Sequence, residues 1–79
     1  NILQWYKERL KWTDDIRDFI FKDQIYADYK EFCADTGNFA VNKISFFRSL
    51  FKMLPEVSQG QKMGFGGKRR RVVFKVELL

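Results

Sequence analysis

The chain has 79 residues, 46% hydrophobic and 18% aromatic, which suits one small packed domain and excludes a disordered tail. Its net charge of +5 sits at one end: residues 1–61 hold nine basic and nine acidic side chains, residues 62–79 six basic and one acidic. A lone cysteine, Cys33, excludes an internal disulfide, and no apolar run nears the ~20 residues of a membrane span.

Charge concentrated in this way favours a polyanionic partner, nucleic acid or an anionic membrane surface. No long basic amphipathic helix is present to lie on a membrane, so no membrane contact is expected. No signal-peptide pattern is present either. The sequence begins at Asn1 rather than Met, and is expected to be a piece of a larger protein.

Residues 2–11 place Ile2, Leu3, Tyr6 and Leu10 at helical spacing with Trp5 near the edge, an amphipathic helix. Residues 1–12 are expected to be a connecting helix and residues 13–79 the domain itself. Thr13 or Asp14 is a good N-cap, predicting a short helix with Ile16, Phe19 and Ile20 inward. Asp23 is then expected to cap the next helix. In it Ile25, Tyr26, Tyr29, Phe32 and Cys33 share one face, and Gly37 ends it. Residues 36–42 form a turn, with Phe39 expected to pack back into the core.

Asn42, or Ala40–Val41, leads into a helix over residues 43–54, which Pro55 ends. Ile44, Phe46, Phe47, Leu50, Phe51, Met53 and Leu54 form its apolar arc. Ser45, Arg48, Ser49 and Lys52 form a polar arc without an acid. Residues 57–63 read as a strand weakened by Gly60. Residues 71–78 read as a better one, with Val72, Phe74, Val76 and Leu78 alternating with Val73, Lys75 and Glu77. Between them lies "GFGGKRRR", whose Gly64, Gly66 and Gly67 suit a hairpin tip. The fold class is therefore α+β, mainly α: a winged helix-turn-helix with a C-terminal two-stranded β-hairpin wing.

Catalytic chemistry finds little support. There is no histidine to act as a base, and one cysteine without histidine excludes the usual zinc sites. "GFGGK" lacks the spacing and the Ser/Thr of a phosphate-binding loop. Asp14, Asp15 and Asp18 read as capping residues, and Cys33 as a small core residue. This piece is expected to be no enzyme and to carry no cofactor or metal.

Binding chemistry is better represented. The helix residues Lys43, Ser45, Arg48, Ser49 and Lys52 suit a recognition helix, arginine for guanine edges, lysine and serine for phosphates. Lys62, Lys68, Arg69, Arg70 and Arg71 suit a phosphate backbone, and nothing in the sequence offers acids beside the last four. Two to four such contacts imply a log–log salt slope of roughly −2 to −4 on duplex DNA. Phe65 suits base stacking, a minor-groove wedge, or packing across its own hairpin.

"IYADYKEFCADTG", a short turn, "FFRSLFKML" and the basic hairpin together resemble the C-terminal winged-helix domain of viral, phage and plasmid primase-helicases. These are poxvirus-type and related phage-type replication proteins with a superfamily 3 helicase. The resemblance covers about residues 14–78. Tyr26, Tyr29, Phe32 and Gly37 match the first helix of the pair; Phe46 and Leu50 match the second, with Phe47 and Phe51 as a competing register. Lys68–Arg71 match the KR-rich tip. The tight join around Phe21–Asp23 departs from the family's longer linker, and leaves the small first strand of that fold unplaced. The resemblance implies a DNA-binding domain, with ATP hydrolysis by helicase and primase parts elsewhere in the parent chain. It implies an intracellular setting, host cytoplasm or a site of viral or plasmid replication. DNA as duplex, fork or single strand is the expected partner, along with other domains or subunits of the parent helicase. The alternative is a protein-interaction or oligomerisation module. Fourteen aromatic residues favour it, with Trp5, Trp12 or Phe65 as exposed anchors.

Overall fold

The computed structural model describes residues 2–55, 57–63 and 65–79, without the side chain of Phe65. The expectations for Gly64 in the turn and for the Phe65 ring lie outside these residues. Three helices and two antiparallel sheets make a small α+β domain.

Helix α1 spans Ile2–Arg9 and ends two residues earlier than predicted. Leu10–Trp12 instead form strand β1, which pairs with the last strand, β5 (Val76–Leu78). Trp5, expected near the helix edge, is fully buried. Its ring lies edge-on to Tyr29 at 6.1 Å and to Phe46 at 5.3 Å, while Tyr29 and Phe46 stack at 4.4 Å. A fully buried Phe such as Phe46 contributes about 1.5–3 kcal/mol. The first helix therefore shares the core of the chain that follows.

The helix expected after Thr13 does not form. Asp15 accepts the Arg17 amide at 2.9 Å, a local turn that satisfies the capping signal without a helix. Ile16 and Phe19 are exposed. Phe19–Phe21 form strand β2, since three β-favouring side chains find a ladder partner in β4 (Arg69–Phe74).

Helix α2, Lys22–Asp35, begins with Phe21 in the cap position, where the Gln24 side chain accepts its amide at 3.3 Å. Asp23 lies within the first turn and is not the cap. Ile25, Tyr29, Phe32 and Cys33 are buried as the period predicts. Gly37, at φ +73°, ends the helix: the Asn38 amide reaches the Cys33 carbonyl at 2.8 Å and the Gly37 amide that of Ala34. Phe39 is 98% exposed, against expectation. The loop is held instead by the Val41 backbone, whose N–H donates to the Tyr29 hydroxyl at 3.1 Å and whose carbonyl accepts from Tyr26 at 2.8 Å.

Helix α3, Lys43–Met53, is capped by Asn42, whose side chain accepts the Ser45 amide at 2.8 Å. Phe46, Phe47 and Leu50 are buried, but Ile44, expected inward, is 74% exposed. Strand β3, Gln59–Met63, pairs with β4, giving a sheet of order β2-β4-β3. A 3₁₀ turn over Phe65–Gly67 joins them, with Gly66 and Gly67 at φ +78° and +77°. The predicted alternation along residues 71–78 breaks at Lys75, whose φ of +66° separates β4 from β5. Val73 and Val76 consequently both enter the core, while Val72 and Phe74 occupy the opposite face of the sheet.

Candidate nucleic-acid interface

The first turns of α2 and α3 converge on the start of β4. Lys22, Asp23, Lys43, Ile44, Phe47, Arg69, Arg70 and Arg71 line a groove of about 590 Å³ between them. Five of these side chains are cationic and one is acidic. Both helices start with a lysine, Lys22 and Lys43, at the end where the backbone dipole already places positive charge. Each helix start therefore adds to the attraction for an anion.

Asp23 is the acid that holds this cluster. It pairs with Lys43 and, at 3.4 Å, with Arg70. Hydrogen bonding and attraction from Lys43, then from Arg70, hold its carboxyl below the usual value. The expectation that no acid would neighbour the basic run is thus corrected for Arg70. A residue distant in sequence meets it because the start of α2 lies beside β4. Arg70 also stacks over Phe21, its guanidinium 4.3 Å from the ring centre. Among the described residues, Arg69, Arg71, Lys68 and Lys22 have no acidic partner within ion-pair distance.

Lys22 is the residue that sequence reasoning missed. Its ammonium sits 5.0 Å and 5.2 Å from the ring centres of Phe47 and Phe51, and donates to the Gln59 side chain at 2.6 Å. Burial, then repulsion from Arg71 and Lys43, pushes its pKa below the ordinary lysine value. A signal was present: a lysine at a helix start opposes the dipole. With Asp23 as the expected cap, two residues beyond the true cap Phe21, Lys22 falls outside the helix and the signal is lost.

Of the predicted site residues, Lys43, Arg69, Arg70 and Arg71 are brought together around the groove. Ser45, Arg48, Ser49 and Lys52 are not among its lining; Arg48 and Lys52 are exposed, Ser45 and Ser49 half-buried. Ile44 connects the two sets, since it lines the groove one turn before Arg48. Lys68 is exposed just before β4. Lys62 lies on the outer face of the sheet, over Phe19 and Phe74.

Comparison with protein-family models and with curated proteins finds no match. The groove's own chemistry is accordingly the guide. Its side chains offer positive charge beside two apolar lining residues, the buried Phe47 and the exposed Ile44. Among the described residues, no three His, Cys, Asp or Glu side chains gather to hold a metal ion. No described helix is long and apolar enough to cross a membrane.

Proposed function

We propose that the chain is a winged-helix DNA-binding domain whose groove of five cations and one acid grips the phosphate backbone. That groove is the observation that carries the reading. The order of elements supports it. Helix α1, strand β2, helices α2 and α3, then β3, a glycine tip and β4 follow one another, with β4 central in the sheet. We read that order as a winged-helix plan, with α3 as recognition helix and the β3–β4 hairpin as wing. The short strand β2 stands where that plan needs its first strand.

In this mechanism Arg69, Arg71, Lys68 and Lys22 take phosphates first, since no acid among the described residues pairs with them. Arg48 and Lys52 then follow on the exposed side of α3, and Ser45 and Ser49 supply hydrogen bonds at its edge. Four phosphate contacts give a log–log salt slope of about −3.6 on duplex DNA. On the resemblance to viral, phage and plasmid primase-helicases, the domain would sit beside a replicative motor and supply it with DNA. Fluorescence anisotropy of labelled duplex at two salt concentrations tests the reading. Changing Arg69, Arg70 and Arg71 together to Ala should abolish most of the affinity, and an unchanged affinity refutes it.

A second reading, docking of a protein partner, is favoured by Phe39, which is 98% exposed in the turn before α3. It gains if Phe39→Ser breaks the parent's assembly while leaving duplex affinity intact.

A further inference from the structure

The outer face of the three-stranded sheet is turned away from the main core, yet it is aromatic. Register places Phe19 beside Phe74, Phe21 beside Val72, and Lys62 beside Arg70 on this face. The Phe19 ring meets those of Phe21 at 5.8 Å and Phe74 at 6.3 Å. Val72 is fully buried among them without belonging to the main core. Phe19 is nevertheless 40% exposed, and Phe21 and Phe74 are half-buried. An exposed sheet face ordinarily carries polar side chains; this one presents rings.

Cations complete the surface. The Lys62 ammonium lies 5.3 Å from the Phe19 ring centre and 5.8 Å from that of Phe74, and Arg70 covers Phe21. No acid holds a register position on this face. Arg70 also lines the groove, so the two surfaces are continuous. A ring with a cation one nucleotide's reach away is what an unpaired base and its phosphate require. A protein partner would need the apolar area but has no comparable need for the cations.

The geometry points to a second nucleic-acid surface: Phe19, Phe74 and Phe21 form a stacking platform for bases of an unpaired strand, and Lys62 and Arg70 take its phosphates. The inference rests on the nucleic-acid reading of the groove. It names the substrate class as duplex with an unpaired tail, duplex phosphates in the groove and tail bases on the sheet. As a base arrives, Lys62 leaves the ring for the phosphate, exchanging a weaker contact with an aromatic for a stronger one.

Anisotropy with three probes tests it: a short oligo-dT, an abasic strand of the same length, and a blunt duplex. Oligo-dT is expected to bind about five- to a hundredfold more tightly than the abasic strand. Phe19→Leu keeps apolar cover over Val72 and removes only the ring. It should lower oligo-dT affinity about fivefold or more, with duplex affinity and melting temperature unchanged. Equal binding of oligo-dT and abasic strand by the unaltered domain, with duplex binding intact, overturns the platform and spares the groove. A protein-docking face would give that result. Failure of all three probes to bind overturns both readings.

Discussion

Replacing Asp28 separates the two roles of the carboxylate that ties α1 to α2. Its Oδ2 accepts the Nε1–H of the fully buried Trp5 at 2.8 Å, and Arg9 donates to both oxygens at 3.2 Å and 2.8 Å. Asp28→Ala leaves the indole N–H without a partner inside the core, a loss of about 1–3 kcal/mol. The Arg9 side chain is 33% exposed, so solvent screens its share and the indole dominates. Stability for a domain of this length is about 4–12 kcal/mol, so the loss is a large fraction of the whole. The melting temperature should fall by roughly 5–20 °C.

Asp28→Asn keeps an oxygen for the indole but sets an NH2 against the Arg9 Nη2 donor, so it removes the charge and that Arg9 bond while the indole's larger share of the stability should remain. The pH profile separates the pair further. Burial alone would raise the Asp28 pKa, but hydrogen bonds from Arg9 and Trp5 outweigh it and the pKa is lowered. A lowered carboxylate pKa gives stability that is complete above the unfolded value of about 3.9 and is lost as pH falls through the folded value. The gap between wild type and Asp28→Asn should therefore close in acid. Circular-dichroism melts from neutral pH into acid read all of this. If Asp28→Ala melts like wild type, then α1 does not belong to the core and the argument fails. If Asp28→Asn is as damaging as Asp28→Ala, the ionic share has been underestimated.

Three further outcomes are expected. Lys22→Met should raise the melting temperature and reduce the duplex salt slope by about 0.9. Because the Lys22 pKa is lowered, wild-type stability should also rise with pH between the folded value and about 10.4, a rise that the variant lacks. Asp23→Asn should tighten duplex binding roughly threefold at low salt, since a unit charge ~6 Å from a phosphate is worth about 0.7 kcal/mol in water; unchanged anisotropy titrations would count against the groove. Gly60→Ala puts a Cβ 2.5 Å from Phe74 Cε2, and the displaced ring should cost about 1–3 kcal/mol in chemical denaturation.

Helices α2 and α3 were legible because each repeats its apolar face over at least three turns, and period is a local property. Strands β1 and β2 were not, because three residues contain no period. Leu10–Trp12 and Phe19–Phe21 become strands only when Val76–Leu78 and Arg69–Phe74 arrive more than fifty residues later. Lys75 adds a second kind of failure. One residue at positive φ moves Val76 onto the same side as Val73, and the parity of the alternation changes. Phe39 was misjudged because an aromatic in a turn usually packs. Here two tyrosine hydroxyls hold Val41 and leave the ring outside.

The candidate site divides along the same line. The charge of Lys68–Arg71 is written in the sequence, but its partner surface is not, because Lys22, Asp23 and Lys43 come from two helix starts that only the fold brings together. The sign of their interaction favours the proposed binding role of the groove over a purely structural one. A structural cluster would be expected to match cations with acids and to place acids, not lysines, at helix starts. This one gathers five cations around one carboxylate, and burial, then repulsion from Arg71 and Lys43, lowers the Lys22 pKa. Burying and crowding cations in this way lowers the stability of the free domain, and an anion in the groove would relieve the repulsive part. Substitutions that stabilise the free groove, as Lys22→Met is expected to do, should weaken its hold on phosphate. Asp23 works the other way: it pairs with Lys43 and Arg70 in the free state and would compete with a bound anion for both.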